Sequence, residues 1–89
     1  MTIKKIHIKT IEKYGRLANV NKAIQEFNEL IEELRDNKNG NANIPAIIEE
    51  IADCRNMIDK LIIIYNIDNN DVGEIQKNKM IRTYERLNS

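Results

Sequence analysis

A chain of 89 residues has room for one small domain, and at this size folding buries only about 60–65% of the surface the unfolded chain exposes, so the core is marginal unless the chain self-associates. Fourteen Lys and Arg balance fourteen Asp and Glu, which excludes both the uniformly basic footprint of a typical nucleic-acid binder and an acidic tail. At 42% hydrophobic and 31% charged the composition is globular, and aromatics at 4% with no Trp leave little for stacking on bases.

Cys54 stands alone, which excludes an intrachain disulfide framework and a cysteine-based zinc site and fits a reducing compartment. The longest apolar run, 61–65, is far too short to cross a membrane, and residues 1–7 lack the apolar stretch of a signal peptide. A cytoplasmic protein with no membrane partner is expected.

In chain order, residues 1–10 alternate weakly (Ile3, Ile6, Ile8) and are expected to be extended or mobile. A short helix over 11–14 follows, with Thr10 as N-cap and Gly15 as stop. Val20, Ile24, Phe27, Ile31 and Leu34 predict a helix over 18–35, their spacing making one apolar stripe. The Asn- and Gly-rich segment 36–43 reads as a loop. Asn43 as cap and Pro45 in the first turn then open a helix over 44–66. A second polar break at 66–70 precedes a helix over 72–87, with Asp71-Val72-Gly73-Glu74 as a capping box. The fold class expected is all-α: one domain over 1–89, a helical hairpin plus a C-terminal helix, assembling into a four-helix-bundle-type homo-oligomer, dimer or tetramer.

The helix over 44–66 has two faces to bury. One is broad (Ile44, Ile47, Ile48, Ile51, Cys54, Ile58, Ile62, Tyr65); on another side lie Met57, Leu61 and Ile64. A lone chain has too few helices to cover both, which is the ground for expecting self-association. Followed backwards, the second stripe leads to Asp53 and Glu50. Carboxylates there are costly to desolvate unless a cation neutralises them or the stripe emerges into water.

Glu26 and Glu29 are likewise three apart on their helix, so an antiparallel hairpin can bring both pairs together. Four carboxylates on facing helices make a hard-oxygen site suited to Mg²⁺ or Mn²⁺. Acid pairs at this spacing recur at 33/36 and 68/71, so a bare pair is equally read as a solvated face. On the last helix Lys79, Arg82 and Arg86 share a stripe with Val72 and Ile75, while Met80, Tyr84 and Leu87 form a separate apolar side. Such a basic stripe suits polyphosphate held through a divalent ion, or routine salt-bridging to the acids of the second helix.

Glu26-Phe27-Asn28-Glu29, twenty residues, then Glu50-Ile51-Ala52-Asp53 resembles the ExxE…ExxD signature of the MazG-like, all-α nucleoside triphosphate pyrophosphohydrolases. The stretch 47–61 is similar to the family's second motif, and 79–87 to the KxxRxxxR ending of its short, phage-type members. Gln25 stands where a first Glu is common, and Asn28 where a small or apolar residue is usual. The resemblance implies Mg²⁺-dependent hydrolysis of a non-canonical or deoxy nucleoside triphosphate to monophosphate and pyrophosphate. Glu26, Glu29, Glu50 and Asp53 would then be the metal-binding and catalytic acids, and Lys79, Arg82 and Arg86 the substrate contacts.

Tyr14, Asn19 and Asn56 could offer hydrogen bonds or a stacking face toward a base, but each reads first as a cap, a solvated side chain or a packing residue. His7 is isolated and is assigned no role, and Cys54 falls on the broad apolar face as a small hydrophobe. The competing reading is a non-catalytic helical interaction protein using Met57, Leu61 and Ile64 as its interface. Nucleic-acid binding through Lys79, Arg82 and Arg86 is disfavoured, because that stripe is short, lacks interleaved aromatics and belongs to a neutral chain.

Overall fold

A computed structural model describes all residues from Met1 to Ser89 as four helices and no strand: α1 (Ile3–Tyr14), α2 (Arg16–Lys38), α3 (Ile44–Ile64) and α4 (Asn69–Leu87). The all-α expectation holds, and α2 and α3 match their predicted spans to within three residues at each end.

The N-terminal segment departs from expectation. It is helical from Ile3, not extended, because Thr2 is the working cap: its Oγ1 accepts from the Lys5 N–H at 3.2 Å. Thr10 lies inside the helix, donating its hydroxyl to the Ile6 carbonyl at 2.8 Å. The reason is tertiary. Ile3, His7 and Ile11 fall on one helical row, and His7 on that row is buried.

Gly15 alone separates α1 from α2, at φ 87° and ψ 165°. Only glycine occupies that region freely. Its N–H donates to the Ile11 carbonyl at 2.8 Å, and its carbonyl accepts from Asn19 Nδ2 at 2.6 Å. A Cβ at this position would meet nothing within 4 Å, so the penalty for Gly15→Ala is purely conformational. Chemical unfolding of that variant is expected to show a loss of about 1–3 kcal/mol with its helix content retained.

The other helix ends follow local chemistry. Asn43 occupies the N-cap position of α3 without capping it; its Nδ2 turns back to donate to the Glu33 carbonyl at 2.8 Å and to Glu33 Oε2 at 2.6 Å. Pro45 sits in the first turn of α3, where a missing N–H does no harm. At the far end Asn66 takes φ 52°, and the Ile67 and Asn66 N–H groups donate to the Ile62 and Ile63 carbonyls at 2.9 and 3.1 Å, a Schellman stop. Asp68 then caps α4 by accepting from the Asn70 N–H at 2.9 Å. The capping box expected at Asp71–Glu74 is therefore not used, and α4 starts three residues earlier.

α2 and α3 form an antiparallel hairpin: Glu33 meets Asn43, and the Cys54 thiol donates to the Glu26 carbonyl at 3.5 Å. α1 packs on both, and α4 packs substantially on none of them. Only Ala23, Cys54 and Met57 among the apolar residues are buried. α3 turns the Glu50–Cys54–Met57–Leu61 side toward α2 and leaves Ile44, Ile48, Ile51 and Ile58 of the broad face exposed. Met57 is thus spent inside the chain, which corrects the expectation that it belongs to an intermolecular interface. The radius of gyration is 16.2 Å, against about 12 Å for a compact chain of this length.

Candidate functional site

Two facing helices build the site. On α2, positions 22, 26, 29 and 33 form one row at helical spacing; on α3, Glu50 and Asp53 form its counterpart. The hairpin brings carboxylate oxygens of Glu26, Glu29 and Glu50 within 4.8 Å of one another. Three of the four acids singled out from sequence therefore converge. Asp53 is exposed and lies outside that trio, although Glu50 and the Cys54 thiol both feel its charge.

The acids differ in environment. Glu26 is only 6% exposed. Lys22, one turn earlier, places its ammonium 2.9 Å from Glu26 Oε1, and this hydrogen bond holds the carboxyl below the ordinary carboxylate range against the opposing effect of burial. The same contact raises the Lys22 pKa. Glu50 goes the other way: burial first, then the charges of Glu29, Glu26, Asp53 and Glu33, push its pKa up. Glu26 Oε2 and Glu50 Oε2 are both buried without a hydrogen-bond partner. Buried carboxylate oxygens lacking donors are uncommon because nothing replaces the water they lose. Glu29 is tied differently, its Oε1 accepting from Gln25 Nε2 at 3.0 Å.

An open groove of about 600 Å³ follows α2 past Asn21, Gln25, Asn28, Glu29 and Glu33, and Glu50 also lines it. Gln25 and Asn28, where the sequence departs from the motif it resembles, are thus wall residues of this groove. Cys54 lies buried beneath, and burial and the surrounding acids push its thiol pKa up, away from the thiolate form.

Lys79, Arg82 and Arg86 lie on exposed α4 and make no ion pair with the acids. Asn19 is a packing residue, buried and bonded to Gly15. Tyr14 is exposed, with the Lys13 ammonium 5.3 Å from its ring. His7 is buried between α1 and α3 with Nε2 3.9 Å from Asp59 Oδ2, so its segment is docked. Sequence reasoning missed Lys22 as the neutralising partner of Glu26, although the i,i+4 spacing carries that signal. Glu33 was passed over too; its charge bears on Glu50 and its carboxylate holds Asn43.

The chain matches no family model, no curated protein sequence and no solved structure.

Proposed function

We propose that this chain is a Mg²⁺-dependent nucleoside triphosphate pyrophosphohydrolase, cleaving a non-canonical or deoxy nucleotide to monophosphate and pyrophosphate. The observation that carries the reading is the convergence of Glu26, Glu29 and Glu50, with two buried carboxylate oxygens that no protein donor satisfies. An all-oxygen, anionic donor set fits a hard divalent ion, Mg²⁺ or Mn²⁺, and not zinc. The resemblance of Glu26–Glu29 and Glu50–Asp53 to the MazG-like signature supports the same assignment.

In this reading Glu26, Glu29 and Glu50 hold the ion and Asp53 joins them from the exposed edge. Bound there, the ion supplies charge neutralisation for phosphate oxygens and for the departing pyrophosphate. The chain's own part is preorganisation. Lys22 keeps Glu26 ionised, the Gln25 bond orients Glu29, and the Cys54 thiol ties α3 to the α2 backbone beneath the acids. Lys79, Arg82 and Arg86 serve as phosphate contacts; since α4 packs substantially on no other helix, they reach the acids by a movement of α4 or from a second copy. The working unit is a homo-oligomer, dimer or tetramer, in the cytoplasm.

The test is a panel of canonical and modified nucleoside triphosphates with Mg²⁺, reading monophosphate and pyrophosphate. Release of both by wild type, lost in Glu50→Ala and strongly reduced in Asp53→Ala, is the expected result. Hydrolysis unchanged in both variants removes the metal assignment. The exposed isoleucines of α3 favour a second reading, a non-catalytic helical interaction protein, and absence of hydrolysis by well-folded wild type decides for it.

A further inference from the structure

α1 carries the only histidine of the chain, and it is buried. Ile3 and His7, one turn apart on α1, line a cavity of about 400 Å³ together with Asp59, Ile62 and Ile63 of α3. The three α3 residues share one side of their helix at i, i+3 and i+4 spacing. Lys4 and Asn69, the first residue of α4, complete the lining. This cavity is separate from the acidic groove: Asp59 stands about 180° round α3 from Glu50 and about 13 Å further along it.

The imidazole is unsatisfied. His7 is 6% exposed, and its Nε2 is buried without a hydrogen-bond partner. Asp59 Oδ2 lies 3.9 Å away, beyond the roughly 3.2 Å limit of an N–H···O bond. A bridging water does not account for the gap, because the buried Nε2 presents no surface to solvent. Lys4 lines the same cavity yet forms no ion pair with Asp59, so the carboxylate keeps its charge unmatched by a neighbouring side chain.

The spacing suits a metal ion. Zinc–nitrogen bonds of about 2.0–2.1 Å and zinc–oxygen bonds of about 2.0–2.2 Å span about 4.0–4.3 Å end to end. One ion therefore reaches both atoms at 3.9 Å, and a tetrahedral angle needs Asp59 to close by only about 0.5 Å. Its side chain is 58% exposed and has room to do so.

We propose that His7 Nε2 and Asp59 Oδ2 bind a divalent transition-metal ion of the zinc class, bridging α1 and α3. An imidazole ligand selects such an ion over Mg²⁺. The Asn69 amide oxygen is a further donor within the cavity walls, and water completes the shell. The ion satisfies a buried nitrogen that no other group of the fold reaches. Its role is structural: with only three buried apolar residues, the chain is short of core, and a metal staple is one established remedy at this size. The site does not depend on the catalytic reading of the acids.

Zn²⁺ alone is the probe, added with Mg²⁺ in excess so that the acids are already occupied. As the only histidine, His7 gives a single imidazole signal, and its ring nitrogen resonances are expected to move on Zn²⁺ addition and not with Mg²⁺. Zn²⁺ at about ten times its dissociation constant is expected to raise the melting midpoint by about 5–10 °C. Asp59→Asn replaces an exposed side chain and keeps the test valid if His7→Gln fails to fold. Loss of a supporting group beyond the ligands already costs about 10–100-fold in metal affinity, so loss of this ligand is expected to weaken the response at least about tenfold. Glu50→Gln is expected to keep it. A His7 signal that Zn²⁺ leaves in place, a response undiminished in Asp59→Asn, or one abolished by Glu50→Gln overturns the proposal. Hydrolysis of nucleotides or its absence bears on the acids and leaves these readouts unaffected.

Discussion

Replacing Glu50 by Gln is expected to make the metal-free protein more heat-stable at neutral pH and at the same time to lower kcat/KM for nucleotide hydrolysis at least about 100-fold, the scale of the several kcal/mol a metal contributes to charge stabilisation. Both effects come from one cause. Burial and four neighbouring acids raise the Glu50 pKa in the folded chain. A carboxyl whose folded pKa lies above its unfolded one is a burden once it ionises, so its ionisation destabilises the fold as pH rises through the folded value. The amide removes that burden and the metal ligand together. Glu26 has the opposite sign. Its pKa is lowered by Lys22, so its contribution is full above the unfolded value and fades as pH falls through the folded one. Differential scanning calorimetry without metal, at neutral and mildly acidic pH, reads the first effect: the gain from Glu50→Gln shrinks as acid protonates Glu50 in wild type. A Glu50→Gln protein that melts below wild type at neutral pH contradicts the electrostatic account.

Met57→Ala is the second substitution with a large expected effect. Met57 is one of three buried apolar residues, 7% exposed, on the side of α3 that faces α2. Truncating a buried Met to Ala removes about 2–5 kcal/mol, a large share of the 5–15 kcal/mol that holds an ordinary domain together. In so sparse a core the variant is expected to lose most of its cooperative urea transition at 25 °C. Ile58→Ala, at a half-exposed position one residue on, is expected to lose far less in a dilute single chain. A Met57→Ala transition within 1 kcal/mol of wild type, on the linear-extrapolation scale, contradicts the assigned face of α3.

Periodicity made α2 and α3 readable, because stripes of apolar residues over about four or more turns leave little choice of element. Convergence of Glu26, Glu29 and Glu50 was readable too, since antiparallel packing of two such helices places positions near the middle of one opposite the early turns of the other. α1 was not. Ile3, Ile6 and Ile8 satisfy a weak alternation as well as a helix, and burial of His7 against α3 decides between them, which no local rule contains. Which face of α3 turns inward was misjudged for a related reason. The broad isoleucine face is the more apolar, yet the hairpin buries the side bearing Glu50, Cys54 and Met57, where Lys22 and the Cys54 thiol make the polar contacts. Lys22 is not singled out by the sequence, since Lys–Glu pairs at i,i+4 are ordinary on solvated helix faces, and even in this pair half of the lysine stays in water.

The isolation of α4 has a consequence for cooperativity. A helix of 19 residues that packs only slightly on its neighbours is held mainly by its own hydrogen bonds, near the length at which isolated helices are marginal in water, and Gly73 weakens it by about 1 kcal/mol relative to Ala. In the single chain it therefore frays and reforms on its own, without disturbing the hairpin. The single chain is therefore expected to melt as two units, with one free energy of unfolding describing α1–α3 alone.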